Sequence, residues 1–440
     1  MGRRFSLLGL IAMLALMVAA CGGGGGGGET TAGGTTGGAE CGSGSISLMG
    51  IWVSDEQKSI QAVLDSFKEK CPDITVKYNG VGDNLPTVLG TAVQGGNPPD
   101  LAAIAQPALV QQFVDQGKLK PIDFAADVIK ENFGDSGAKI GTFNGKLYGL
   151  FYKAANKSLV WYNVPAFEEA GVEPVDNWDD FLQLAGTVKA SGVPAYSIAG
   201  ADGWTLTDLF ENIYLRTAGG EMYDKLAKHE IPWTDQSVKD ALTEMEKILS
   251  DPDNIGGGTQ GALQTDNPTG ITNTFSDPPK AAMYLEGDFV SSVILASTKA
   301  KPGTGFNVFA FPSINDSPPA ALVSGDTVVM FKDSPAAHAL ISYLATPEAA
   351  EVWAKRGGFA TLNKKVSADA YPDDITRKTA AAVSSAEESR FDLSDLQPPK
   401  FGGTIGQGEF KLFQDFLSNP SDVDGIAQKL EDAAAQAYGS

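Results

Sequence analysis

Cationic side chains are scarce in this 440-residue chain: 33 Lys and Arg stand against 54 Asp and Glu, for a formal charge of -21. A protein held on nucleic-acid phosphates needs a basic face that releases counterions, so nucleic acid is excluded as a partner. Histidine is scarcer still, with His229 and His338 alone, and cysteine is limited to Cys21, Cys41 and Cys71. That inventory leaves no thiolate–imidazole zinc centre. A Ser-His-Asp triad would have to use one of two histidines set in Lys- or Ala-flanked helical stretches, where a surface or packing role fits better. No Walker loop, zinc-protease helix or Gly-x-Ser-x-Gly elbow is present. Gly256 to Gly261 spells a dinucleotide fingerprint, but no strand precedes it. Asp251, Asp253 and Gly256 imitate a calcium loop, yet Ile255 and Ala262 stand at ligand positions. No cofactor and no metal are therefore expected.

The long apolar run is also missing. Leu7 to Ala20 is unbroken but only 14 residues long, too short for a permanent membrane span. Behind Arg3 and Arg4 it reads as a signal peptide over residues 1–20. Its end, Val18-Ala19-Ala20-Cys21, resembles the bacterial lipobox, which marks Cys21 for lipidation and makes the mature protein extracytoplasmic and membrane-anchored. An ordinary secreted protein cut nearby is the alternative. The Arg pair also invites a twin-arginine reading, which Phe5-Ser6-Leu7-Leu8 fits imperfectly. Of 51 glycines, 13 fall between Gly22 and Gly44, so 21–44 is read as a lipidated Cys followed by a flexible tether reaching roughly 25–30 Å. Removing the leader's two arginines leaves 31 basic residues against 54 acidic, or -23. Cys41 and Cys71 remain as a pair in an oxidising compartment. They precede two strands expected at 46–53 and 74–79, and neighbouring parallel strands would start at one sheet edge.

From residue 46 strands and helices alternate. Ile60, Val63, Leu64 and Phe67 recur at helical spacing, Ile74 to Tyr78 reads as a strand, and helices are expected at about 85–94 and 107–116 around a strand at 100–105. This pattern implies an α/β fold with parallel sheets covered on both faces, and ligands bind beyond the carboxyl ends of such strands. A more helical region follows Asn144, with helices at about 165–170, 178–190, 206–217 and 235–249. Residues 251–280 read as a long surface excursion, 281–331 as a second alternating stretch, and the C-terminal third as mostly helical.

Six segments, taken in order, resemble one known family: Gln94 to Asp100, Asn144 to Gly149, Lys157 to Asn163, Leu215 to Gly219, Tyr343 to Glu348 and Arg356 to Phe359. The resemblance is to the extracellular solute-binding proteins of ABC importers, and within them to binders of alpha-glucosides. It implies a two-lobed periplasmic-binding-protein type II fold that captures a di- or oligosaccharide in the cleft and delivers it, as a monomer, to ABC permease subunits, without enzymatic turnover. Chain crossings would fall near 152–156, 323–327 and 359–362. The lobes would be 45–155 plus 326–361 and 156–325 plus 362–440.

A neutral sugar presents hydroxyls at its edge and C–H patches on its faces, so its site needs polar side chains around it and aromatics above and below. Strand ends in the first lobe offer Asp55, Glu56, Asp83 and Gln106. The crossings offer Lys153, Asn156, Asp326 and Phe359, with Arg356 nearby. In the second lobe Trp204 is a candidate stacking platform and Asp208 a hydroxyl acceptor. Glu286, Gly287, Asp288 and Phe289 align with a family segment that often carries an aromatic over the sugar. Trp52 and Trp161 sit inside strand patterns and read as core. Two alternatives stay open: a secreted glycosidase using a pair of the many carboxylates, and a binder of iron or an oxyanion. The adjacent tyrosines typical of iron binders of this shape do not occur.

Overall fold

The computed structural model describes residues 41–385 and 388–439. The expected leader, the lipidation position at Cys21 and most of the tether lie outside the described residues. Nine strands build two sheets: β1 (Gly44–Gly50), β2 (Ile74–Gly80), β3 (Leu101–Ile104), β4 (Gly149–Asn156), β5 (Leu159–Asn163), β6 (Met283–Leu285), β7 (Phe306–Ala310), β8 (Ala320–Met330) and β9 (Glu388–Phe391). The larger sheet runs β9-β8-β3-β1-β2, with β4 also paired to β8; the smaller is β6-β5-β7.

The helices start and stop where the residues direct. Helix Ser54–Lys70 carries Asp55 and Glu56 in its first turn and Lys68 and Lys70 in its last, matching the helix dipole at both ends. It buries Ile60, Val63, Leu64 and Phe67, the stripe that the spacing predicts. Helix Leu85–Gln94 spans the expected residues, with Pro in its first turn.

Two large cores result. One gathers Leu48, Ile60, Phe67, Leu101, Val328 and Trp353; the other gathers Phe181, Phe210, Trp233, Met245, Phe413 and Leu430. They define the two lobes. Trp52 and Trp161 are fully buried, Trp161 within β5 and Trp52 two residues beyond the end of β1, which stops at Gly50. Between the lobes β4 lies antiparallel to β8, with Lys153 opposite Asp326 and a register shift immediately after Asp326. The amide of Ala154 also donates to the carbonyl of Ala360 at 2.9 Å, so a third segment runs alongside the first two.

Several features depart from the sequence expectation. The sheets are not uniformly parallel: β1 is parallel to β2 and β3, and β8 to β9, but β8 is antiparallel to both β3 and β4, and the smaller sheet is antiparallel throughout. Strand β8 runs the reverse way because it carries the chain back from one lobe into the other. Helix Trp204–Ala227 continues past Thr217 by bending at Gly219, whose φ of 79° favours glycine. Residues 251–280 are not an excursion, since they contain helices Gly258–Ala262 and Asn267–Phe275. The second buries Ile271 and Phe275 and is capped by Asp266, which accepts from the Thr269 amide. The Asp, Pro and Gly content that suggests a loop is here the punctuation of short helices. Finally, 362–371 packs partly on the first lobe: Ala370 belongs to its core and the Lys364 amide donates to the Asn132 carbonyl at 2.8 Å.

Cys41 and Cys71 form a disulfide with Cα atoms 5.4 Å apart. Gly44 lies opposite Ile74 in the parallel β1–β2 pair, so both cysteines precede the same sheet edge. Replacing both by Ala should lower unfolding free energy by about 3–4 kcal/mol on the chain-entropy account. Denaturant titration in oxidising buffer measures it, and equal stability of variant and wild type would remove the bridge from any structural role.

Candidate functional site

The carboxyl ends of β1, β2 and β3 open toward a cavity of about 490 Å³. The first turn of helix Ser54–Lys70, just after β1, contributes Asp55 and Glu56, the segment after β2 contributes Asp83, and Gln106 follows β3. The crossing strands add Lys153 and Asp326, and the second lobe closes the far side with Asp202, Trp204, Asp266, Phe289, Asp392 and Asp395. Trp204 and Phe289 meet edge to face, ring centroids 6.2 Å apart at 63°, forming an apolar corner in an otherwise polar wall. The indole Nε1 donates to Asp83 Oδ2 at 3.0 Å, joining the two lobes across the cleft.

Two lysines anchor the wall. Lys153 Nζ lies 2.9 Å from Glu56 and 3.9 Å from Asp326, and 5.6 Å from the centre of the Phe289 ring. Burial alone would lower its pKa, but the charges of Glu56 and Asp326 outweigh that and hold it above the ordinary lysine value. Lys157 Nζ lies 2.9 Å from Asp208 and 2.6 Å from Asp392, with the Trp204 ring centre 5.0 Å away. It too stays well above the usual value, because its carboxylates overcome burial. Burial pushes Asp392 upward, but Lys157, the Ser394 hydroxyl at 2.7 Å and the Asp395 amide at 3.1 Å pull it below the ordinary carboxylate value.

The remaining acids go the other way. Asp83 is pushed up to about 6 by burial and by the neighbouring charge of Asp202. Behind the wall, burial lifts Glu286 to about 7 against the pull of Lys157; burial also raises the neighbouring Asp208 against the same pull. Asp288 is raised to about 7 by burial. Asp208, Glu211 and Asp392 bring carboxylate oxygens within 4.8 Å of one another. The Lys157 ammonium already sits against two of the three, which supplies the cation that such a cluster would otherwise seek.

A two-lobed α/β body with an interlobe cavity is a receptor architecture, and the sequence comparisons agree with it. The profile of a family described as bacterial extracellular solute-binding protein matches residues 53–351, more than half of the chain. The chain belongs to this family. It is 33% identical over 372 residues to the osmoprotective compounds-binding protein GgtB of Synechocystis, covering 83% of this chain and 86% of that one. It is 31% identical over 397 residues to the alpha-glucosides-binding periplasmic protein AglE of Rhizobium meliloti, covering 87% and 85%. Among solved structures, the bacterial solute receptor AcbH superposes with a TM-score of 0.80 at 21% identity, over 90% of this chain and all of that one. A chitin oligosaccharide binding protein superposes with 0.77 at 22% identity, with the same coverage. The molecule is thus a solute receptor and not an enzyme. Among the described residues no helix is long and apolar enough to cross a membrane.

In this solute-binding protein eight of the residues expected at the site line the cavity: Asp55, Glu56, Asp83, Gln106, Lys153, Trp204, Phe289 and Asp326. Seven do not. Asn156 is buried in the crossing, where its carbonyl accepts the Asp288 amide at 3.1 Å and its side chain caps Ser158. Asp208 lies beneath the wall as the partner of Lys157. Glu286, Gly287 and Asp288 form the turn behind Phe289, and the carbonyls of the first two accept from Trp161 Nε1 at 3.2 and 3.0 Å. Arg356 is exposed, in the turn after helix Pro347–Ala354, and donates to Ser59 Oγ at 2.9 Å on helix Ser54–Lys70. Phe359 is buried against Trp353 and Tyr152. In each case the residue faces the core or the surface and not the cavity.

The sequence reading missed Lys157, Asp202, Asp266, Asp392 and Asp395 as wall residues. Lys157 opens one of the segments that carry the family resemblance, and Asp202 is two positions before Trp204; both were within reach. Asp392 and Asp395 are brought to the cavity by long-range contacts, the pairing of β9 to β8 and the Lys157–Asp392 ion pair among them.

The raised carboxyls set a direction for pH. Asp83, Glu286 and Asp288 hold protons more tightly folded than unfolded, where carboxyls titrate near about 4. Between roughly pH 4 and 7 the folded state therefore binds more protons, and stability falls as pH rises through that window. Thermal unfolding should show a higher midpoint at pH 5 than at pH 8. Glu286→Gln keeps a donor toward Asp208 but does not ionise, so its midpoint should change less between the two pH values. A wild-type midpoint that rises toward pH 8 would contradict the assignment.

Proposed function

We propose that this chain is the sugar-capturing component of an ABC importer, taking an alpha-glucoside-type di- or oligosaccharide into the interlobe cleft and releasing it to the permease. The observation that carries this reading is the wall itself: an aromatic corner of Trp204 and Phe289, suited to the C–H face of a pyranose, ringed by carboxylates and lysines suited to its hydroxyls. The 31% identical relative named for alpha-glucosides supports the finer substrate class.

In this reading the lobes comprise 45–155 plus 326–361 and 156–325 plus 362–440, with 362–371 acting as an extended third crossing. Both lobes supply wall residues, so a bound sugar favours the closed form by its extra contacts there. The protein works as a monomer, held at the membrane by a lipidated Cys21 and its Gly/Thr-rich tether.

Incubation of the purified protein with trehalose, maltose and sucrose should raise its unfolding temperature with no product formed. Release of monosaccharide would replace the receptor with a glycosidase. Trp204→Ala should weaken sugar binding by about 1–3 kcal/mol, as for other buried aromatic anchors, measured by calorimetry on a variant whose unfolding remains cooperative. Unchanged affinity would take Trp204 out of the binding surface. A second reading, that the solute is an osmoprotective compound, is favoured by the name of the 33% identical relative. Adding glycine betaine to the panel separates the two, because a betaine-only response would point to a small zwitterion and not a glycoside.

A further inference from the structure

The cavity is bracketed by two contacts between the lobes. Strands β2 and β3 lie on either side of β1, so Asp83 and Gln106 stand on opposite flanks of its carboxyl end. Asp83 accepts from Trp204 at 3.0 Å, and the Gln106 side chain hydrogen-bonds the carboxyl of Asp395. At about 490 Å³ the space between falls in the lower half of the range that holds small ligands, about 300–1,000 Å³. That suits a disaccharide, and a longer chain needs a way out.

Past the Gln106–Asp395 contact lies a second concavity of about 600 Å³. Its walls also come from both lobes: Pro107, Gln112 and Phe143 from the first, and Leu396, Pro399 and Tyr438 from the second. The two spaces share a thin partition. Gln106 lines the cavity and Pro107 the groove; Asp395 lines the cavity and Leu396 the groove. Gly403, on the cavity wall, packs between the two, since a Cβ there would lie 3.4 Å from Pro399 Cα and 3.5 Å from Gln106 Cγ.

The groove has the chemistry of a saccharide surface. Phe143 and Tyr438 are half-buried rings. Tyr438 gives its hydroxyl to the Ala227 carbonyl at 2.7 Å, which leaves the ring as its contribution. Gln112 and Gln116 are exposed amides along the rim, able both to donate and to accept. No Lys, Arg or His lines the groove. Its carboxylate, Asp115, is already engaged, accepting from Gln111 at 2.7 Å and from Asn144 at 2.9 Å. Those bonds tie the Asn144 turn, with Phe143 beside it, to helix Pro107–Asp115, so the ring is placed before a ligand arrives. Asn144 to Gly149 is one of the segments that carry the family resemblance, and the cleft makes no use of it.

We infer that this groove is an outer saccharide subsite, which takes the distal rings of a glycoside longer than a disaccharide once the Gln106–Asp395 contact parts to let the chain through. The inference rests on the sugar-receptor reading and extends it beyond the cleft. Parting costs little in hydrogen bonds, because Gln106 and Asp395 exchange one another for the hydroxyls of the passing ring. Beyond them the sugar finds aromatic and proline surface for its C–H faces and neutral amides for its edge. Because both lobes wall the groove, a chain lying in it bridges them a second time, outside the cleft.

The test is affinity against chain length, by calorimetry, in two series: maltose, maltotriose and maltotetraose, and sucrose, raffinose and stachyose, with trehalose alongside. In at least one series the trisaccharide should bind as tightly as its disaccharide or more tightly. Phe143→Ala should weaken that trisaccharide and its tetrasaccharide about fivefold and leave the disaccharide within about twofold of wild type. Leu396→Ala, on the other lobe, should act in the same direction, so that failure of one variant to fold leaves the other. A folded variant that weakens every length alike, or none, would overturn the subsite. So would a receptor that binds disaccharides and refuses every longer member. Either result leaves the sugar-receptor reading in place, whereas no response to any of these sugars would sink that reading and the subsite with it.

Discussion

The antiparallel register of β4 on β8 is the constraint on which the cleft depends. It places Lys153 opposite Asp326, and the register shift immediately after Asp326 separates the part of β8 that pairs with β3 from the part that pairs with β9. An ammonium and a carboxylate buried together tolerate little displacement, because each loses water that only the other replaces. Asp326 is further fixed by the Trp52 indole at 2.6 Å. A slip of one residue would turn both charges to the opposite face of the sheet, into the hydrophobic cores. The crossing is thus specified by polar pairing.

Lys157 repeats the device on the second lobe's side. It follows β4 directly and carries its charge into a set of buried acids that includes Asp208, Glu286 and Asp392. One cation among several carboxyls does not neutralise them all. Burial raises Glu211, Asp395 and Glu409 well above their ordinary values, while Asp392, in direct contact with Lys157, stays low.

Much of the fold was legible because local signals and tertiary demands agree. The apolar stripe of helix Ser54–Lys70 and the extent of helix Leu85–Gln94 follow from spacing and punctuation alone. The same holds for the strand-end acids Asp55, Glu56 and Asp83, since their place at the carboxyl ends of β1 and β2 is a property of α/β topology. What the sequence hid was set by contacts distant along the chain. The reversed direction of β8 and the approach of Asp392 and Asp395 to the cavity depend on pairings between strands far apart in sequence. At Glu286 to Asp288 a rotation of side chains by one position decides between wall and core, and no spacing rule supplies that.

The Trp204–Asp83 hydrogen bond has a consequence for the order of events at the cleft. The aromatic platform stands on one lobe, but the acceptor that orients its edge belongs to the other. Were the lobes to separate, as the proposed capture requires, the indole would lose that partner and its plane would no longer be held. A ring stacking on it would then meet a surface free to turn, and the full contact would become available only as the gap narrows. Recognition and closure would therefore be one event seen from two sides, with the indole acting as a clasp that is set only in the shut position.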